Sequence, residues 1–165
     1  MPEAAVREPF FPRAGIGFDV HRFAPHRSLM LGGVRFDDGT PGLDGHSDGD
    51  VVCHALADAL LGAAALGDLG EHLPDTDPAV AGISGVGLLA RIRGVIASSE
   101  FEPVSCDVTV ICERPAIAPR RDEMRACLAA ALDVEVNEIS VKATRPEGLG
   151  LVGDGIGCLA IAVLR

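Results

Sequence analysis

The sequence predicts a single domain of α/β or α+β class built on one sheet. Three observations predict it. At 165 residues the chain has the size of one domain with its own core. Stretches that alternate apolar and polar residues, as strands do, are interleaved with stretches of helical spacing. No internal repeat, low-complexity tract or linker follows residues 1–13, which are charged and proline-rich and read as a flexible tail before a domain over 14–165.

The first strand is expected over 15–23, with Phe18 and Val20 pointing one way and Asp19 and His21 the other. Residues 29–36, with Gly32-Gly33 inside, read as a short strand or hairpin, and 39–45 as a loop. His46, Ser47, Asp48 and Asp50 then stand where an Asp or Ser caps the free N–H groups of a first helical turn. A helix follows over about 49–65, its apolar stripe formed by Val52, Ala55, Leu56, Ala59 and Leu60. Residues 66–70 break the pattern. Pro74-Asp75-Thr76-Asp77-Pro78 is a stiff acidic loop, either a holder of ligand hydroxyls or a surface turn. A second helix is expected over 82–98, a strand over 104–112, a proline-bounded loop over 113–119 and a third helix over 121–132. The remainder reads as a strand over 139–144, turns over 145–150, a glycine-rich connection over 153–157 and a last strand over 158–164.

Composition narrows the function. The net charge of −10 excludes non-specific nucleic-acid binding, which needs a basic face. An anionic ligand must instead be held by local devices: a metal, backbone N–H groups or single arginines. The 20 glycines, with no Trp or Tyr, leave a core of small aliphatic residues suited to close packing between elements and between subunits. The five cysteines are odd in number and form no Cys-x-x-Cys, so reduced thiols and a cytoplasmic setting are expected rather than a disulfide framework. Residues 1–13 do not read as a signal peptide, and no membrane span is expected, since no apolar run reaches that length.

The chemistry concentrates in two places. Asp19 and His21, at i and i+2 on one strand face, can bind one ion; the alternative is a polar strand end. His54 lies on the helix, with Asp58 four residues on along the same face as a partner to orient it. Two imidazoles and one carboxylate form the open ligand set of a catalytic zinc.

The segments Gly17-Phe18-Asp19-Val20-His21-Arg22-Phe23, Leu31-Gly32-Gly33-Val34, Gly45-His46-Ser47-Asp48-Gly49-Asp50 with the helix after it to Gly70, Pro74–Pro78, Val141-Lys142-Ala143-Thr144 and Glu147-Gly148-Leu149-Gly150 occur in one order. Together they closely resemble the 2-C-methyl-D-erythritol 2,4-cyclodiphosphate synthase family of the non-mevalonate isoprenoid route. The resemblance covers about residues 14–165. It implies an α+β fold, an α/β sandwich whose single, mainly four-stranded mixed sheet carries helices on one face, assembled as a homotrimer with a site at each subunit interface. It implies a lyase acting on CDP-methylerythritol 2-phosphate: the 2-phosphate attacks the β-phosphorus, CMP leaves and a cyclic diphosphate forms. Zinc is then expected on Asp19, His21 and His54, and Mg2+ or Mn2+ on Glu147. His46 and the residue at position 145, here Arg145, take the catalytic, transition-state stabilising places. Substrate contacts fall on Asp19, Val20, His21, His46, Ser47, Asp68, Leu69, Gly70, Leu73, Pro74, Asp75, Thr76, Asp77, Thr144, Arg145, Pro146, Glu147 and Leu151. The nucleotide pocket falls on Cys112, Glu113, Arg114, Pro115, Ala116, Ile117 and Ala118.

The chain departs from the family pattern on the phosphate and nucleotide side. Arg145 and Pro146 replace threonines, Ala116 a lysine, and Asp154 and Ile156 the Arg and Glu of a Gly-Arg-Gly-Glu-Gly run. In relatives that Arg and Glu close one end of an apolar cavity on the threefold axis, so retention of a prenyl diphosphate there is not expected. Arg145 either supplies the lost positive charge or pairs with Asp154 or Glu147. Two other functions fit the same residues: a diverged paralogue for another CDP-polyol phosphate, and a non-catalytic trimeric zinc- and nucleotide-binding protein.

Overall fold

The computed structural model describes residues 11–45, 47–74, 76–78 and 80–165. Its elements run β1 Arg13–Ala24, β2 Leu29–Leu31, β3 Val34–Phe36, β4 Gly42–Leu43, α1 Val51–Ala64, α2 Leu69–His72, α3 Gly85–Ser98, β5 Pro103–Ile111, α4 Arg121–Leu132, β6 Ile139–Thr144 and β7 Gly155–Leu164. Four long strands and the two-residue β4 form one mixed sheet in the order β4-β1-β7-β5-β6. Only β5 and β6 run parallel as neighbours; β7 is antiparallel to both β1 and β5. β2 and β3 make a separate hairpin.

Several boundaries differ from the sequence expectation, each because of a tertiary contact. The expected loop over 39–45 contains β4, which pairs Phe23 with Leu43. The last strand begins at Gly155 rather than 158, because β1 is long enough to pair Arg22 with Gly155. The break over 66–70 turns into α2: Asp68 accepts from Glu71 N (3.1 Å), and Asp58 Oδ1 from Leu69 N (2.8 Å). The second helix starts at Gly85, whose N donates to Asp48 Oδ2 (2.9 Å), with Ser84 as its cap.

Why the helices cover one face only follows from the strands. Along β7, Ile156, Cys158, Ala160, Ala162 and Leu164 are buried, while Leu159 and Ile161 are exposed. Along β1, Ile16, Phe18 and Val20 share that exposed face, and Ile16 keeps 67% of its surface open. Helix α1 lies on the other face and is buried nearly all round, between the sheet and α3.

The approach of α1 to β1 is unusually close, and glycine permits it. A Cβ on Gly17 would stand 1.9 Å from the carbonyl oxygen of Ala55, and one on Gly15 2.1 Å from that of Ala59. No side chain fits there, so helix backbone rests directly on strand backbone. Next along the same strand face come Asp19 and His21, and the helix brings His54 over them.

The start of α1 is fixed by Asp50, which is fully buried. Its two carboxylate oxygens accept from Val52 N (3.1 Å) and Cys53 N (3.2 Å) of the helix and from Gly32 N (2.9 Å) and Gly33 N (2.7 Å) in the turn between β2 and β3. One side chain therefore caps the helix and ties the hairpin to it. Asp50→Ala strands these buried donors at about 1–3 kcal/mol each, partly relieved by entering water. The expected loss is about 4 kcal/mol, a fall in Tm of about 10 °C for a chain of this size. Thermal unfolding followed by circular dichroism checks it; a fall under about 3 °C contradicts the role.

Candidate metal centre

Asp19 and His21 point from the helix-covered face of β1, and His54 reaches them from the first turn of α1. Asp19 Oδ2 lies 2.7 Å from His21 Nε2 and 3.2 Å from His54 Nδ1, and the two nitrogens are 3.1 Å apart. Ligand atoms around a tetrahedral zinc, with bonds of about 2.0–2.2 Å, lie about 3.3 Å from one another. The three atoms thus already mark one face of such a tetrahedron. They are the one cluster of this kind among the described residues.

The outer nitrogens decide which lone pairs face inward. His21 Nδ1 donates to the carbonyl of Asp44, and His54 Nε2 lies 2.8 Å from Ser47 Oγ, a hydroxyl that can take a proton from it or give one. His21 Nε2 is then a bare acceptor turned toward a carboxylate oxygen, and so is His54 Nδ1 when its Nε2 donates to Ser47. Three converging acceptors repel unless a cation or a proton lies between them, so the donor set fits a divalent metal. Without one, a proton takes its place. Burial works against the charged His21, but hydrogen bonding and the charge of Asp19, with help from Asp44, outweigh it and raise the His21 pKa. Burial likewise opposes ionisation of Asp19, yet the hydrogen bonds and charges of His21 and His54 hold its carboxyl far below the usual range.

The expectation that Asp58 orients His54 is corrected. Asp58 instead accepts from Leu69 N, and burial, with the charges of Asp68 and Asp19, raises its pKa. Ser47, nearly buried, holds the ring from the opposite side. The i,i+4 spacing placed Asp58 on the right face, but the ring turns toward the incoming loop.

A cavity of about 270 Å3 opens over the metal centre, lined by Asp19, His21, Ser47, His54 and Asp58 and, across it, by Leu69, Gly70 and Leu73. Of the expected substrate residues, Val20 instead borders an adjoining cleft with His21 and Arg22. Asp68 caps α2, while Pro74, Thr76 and Asp77 follow Leu73 outside the cavity wall. His46 and Asp75 lie outside the described residues.

A second cleft, of about 240 Å3, collects much of the expected nucleotide set. Cys112, Pro115, Ala116, Ile117 and Ala118 line it, with Thr144 and Arg145 from the end of β6. Arg121, which the sequence reading took only as the start of a helix, lines it too. Neither Arg121 nor Arg145 forms an ion pair among the described residues. Arg145 therefore does not pair with Asp154 or Glu147, and two uncompensated guanidiniums face one cleft in an acidic chain. The signal was available: Arg120-Arg121 directly follows the proline-bounded loop. Glu113 and Arg114 serve elsewhere. Glu113 accepts from Gly148 N at 2.8 Å, and the guanidinium of Arg114 lies over the Phe23 ring. Pro146 is buried, Glu147 and Leu151 are exposed, and Glu147 sits at a left-handed φ of 52° within the turn that Glu113 holds. Ile156, expected at an axial cavity, is fully buried on the helix side of β7 and faces away from the open sheet surface.

The two clefts share no residue. Register places them at the same end of the sheet, since Asp19 is level with Cys158, Val110 and Ala143. Three strand spacings separate β1 from β6, about 14 Å.

Similarity to known proteins agrees with this architecture. A bifunctional enzyme IspD/IspF of Anaeromyxobacter sp. (strain Fw109-5) is 54% identical over 149 residues, 90% of this chain. The chain spans only 38% and 39% of the length of that enzyme and its Anaeromyxobacter dehalogenans counterpart. The 2-C-methyl-D-erythritol 2,4-cyclodiphosphate synthase of Symbiobacterium thermophilum is 51% identical over 91% of the chain and 96% of its own length. Among solved structures, a 2C-methyl-D-erythritol-2,4-cyclodiphosphate synthase in a CDP-bound form superposes with a TM-score of 0.85 at 30% identity, over 93% of this chain and all of that one. The sequence model of the YgbB family matches residues 12–165. With this match and a metal-ligand cluster where its strand and helix motifs predict one, the chain belongs to the YgbB family.

Proposed function

We propose that the chain converts CDP-methylerythritol 2-phosphate to methylerythritol 2,4-cyclodiphosphate with release of CMP, in isoprenoid precursor biosynthesis. The observation that carries this reading is the convergence of Asp19, His21 and His54 beneath the cavity walled by Leu69, Gly70 and Leu73. The relatives' names and the CDP-bound structure support it.

In the reaction an oxygen of the 2-phosphate forms a bond to the β-phosphorus. The bond from that phosphorus to the oxygen bridging the α-phosphate breaks, and the electron pair leaves with CMP. Attacker and target are both anions, so the work is charge neutralisation and alignment. Asp19, His21 and His54 would hold zinc, which supplies Lewis-acid polarisation of phosphate oxygens when bound. Glu147 would hold Mg2+ or Mn2+; one exposed carboxylate suits an ion kept mainly by substrate phosphates and water. Cys112 and Pro115–Ala118 would take the nucleotide, with Thr144, Arg145 and Arg121 at its phosphates. In this reading Arg121 and Arg145 offset the lysine and threonines of relatives. His46 keeps the transition-state role that the resemblance implies. Ser47 both meets substrate and positions His54.

The reading includes a homotrimer in the cytoplasm. The open apolar face of Ile16, Phe18, Val20, Leu159 and Ile161 is the kind of patch that marks an interaction surface. The resemblance implies a site between subunits, with the nucleotide cleft of one chain beside the metal centre of the next. All five cysteines are free thiols, as a reducing compartment requires, and no described helix is long and apolar enough to cross a membrane.

CMP release from the authentic substrate, with zinc and magnesium supplied, tests the activity. Wild type is expected to release CMP and His54→Ala to release none while staying folded; a wild type that turns over nothing overturns the reading. Mixed assemblies of His54→Ala and Glu147→Gln chains should regain activity, because some sites then draw both intact halves from different chains; no recovery contradicts the shared site.

The arginine pair has its own readout. A charge-assisted hydrogen bond contributes about 1.5–3 kcal/mol, so Arg121→Met and Arg145→Thr should each weaken CDP binding about 10–100-fold. Cytidine, lacking phosphate, should bind wild type and variants alike. Calorimetric titration decides, and equal CDP affinity in both variants rules the assignment out.

A further inference from the structure

We infer that Arg27 is a positioning residue for the metal centre, acting through the loop over 44–47; the inference rests on the metal reading above. Both outer contacts of the histidine ligands come from this loop: Asp44 supplies the carbonyl for His21 and Ser47 the hydroxyl for His54. The orientation of both rings therefore depends on the path of the chain at Asp44, Gly45 and Ser47, none of which belongs to a helix or strand.

Arg27 holds that path. Its two terminal nitrogens donate to the carbonyls of Gly45 and Ser47, one on each side of position 46. Its own backbone is anchored at both ends, since Arg27 N donates to Ala24 O (3.1 Å) and Arg27 O accepts from Gly42 N (3.0 Å). That second bond lies at β4, the start of the same loop. The chain carries 24 acidic residues, yet this partly buried guanidinium meets neutral carbonyls. Only a planar fork with several fixed donors spans two carbonyls two residues apart; an ammonium is a single point charge on a flexible stem. Arg27 neither touches the ligand atoms nor lines the cavity above them; it bonds the backbone of Gly45 and Ser47, which do line it.

Removing such an outer contact typically costs about 10–100-fold in metal affinity. The test is zinc affinity of the full chain by competition with a chromophoric chelator, for wild type, Arg27→Met and Arg27→Lys, with Tm and CDP affinity measured alongside. Arg27→Met is expected to bind zinc about 10–100-fold more weakly. Its CDP affinity at saturating zinc should not change, because the nucleotide cleft shares no residue with the loop. Arg27→Lys should fall between, since it keeps the charge but reaches one carbonyl at a time; it also carries the test if Arg27→Met does not fold. Free guanidinium at millimolar concentration should restore part of the lost affinity in Arg27→Ala. Wild-type zinc affinity matched by Arg27→Met or Arg27→Lys overturns this inference alone. A wild type that takes up no zinc overturns the metal reading and this inference with it.

Discussion

Helix α1 rests on strand β1 with no side chain between them at Gly15 and Gly17, and the metal centre depends on that contact. His54 is one residue before Ala55, whose carbonyl lies where a Cβ on Gly17 would be. Any side chain at 17 would push the helix outward and lift His54 off Asp19 and His21. Asp50 sets the other coordinate: by capping α1 and gripping the Gly32-Gly33 turn, it fixes where along the strand the helix begins. Strand parity then puts both remaining ligands on the face that α1 covers.

An acidic chain that is to hold an anionic ligand must concentrate its positive charge. Six of the thirteen lysines and arginines among the described residues pair with carboxylates, among them Arg35 with Asp37, Arg93 with Asp133, Arg120 with Glu123 and Lys142 with Asp107. Such exposed pairs contribute little stability. Three of the others are informative by their placement. Arg121 and Arg145 face the second cleft unpaired, and Arg27 braces the loop behind the first. Beside the metal ligands the chain offers carboxylate and imidazole acceptors, which leaves the charge at that point to be supplied from outside.

Much of this was legible in the sequence because it follows from short-range periodicity. Alternation along 15–23 placed Asp19 and His21 together, and the helical run placed His54 within reach. The third helix and the strand over 139–144 have the bounds their apolar patterns predict. The misreadings share a cause: they turn on contacts distant in sequence. Asp58 was chosen as the partner of His54 by helical spacing, whereas Ser47 arrives on a loop whose path is set by Arg27. α2 forms because Asp58 reaches it from α1. β7 extends through glycines that read as a loop until a long β1 is available to pair with them. Ile156 was aligned with residues of an axial cavity, but strand parity turns it into the core. Arg121 is the helix start that the sequence suggested, but its place in a cleft went unseen because that cleft is assembled from three separate segments.

X-ray absorption at the zinc edge of the metal-loaded chain tests the account most directly, because it reads the ligand set without reference to turnover. The account predicts only nitrogen and oxygen neighbours at about 2.0–2.2 Å, with outer-shell scattering from two imidazoles and no sulfur. A sulfur neighbour at about 2.3 Å, or scattering from fewer than two imidazoles, would contradict it.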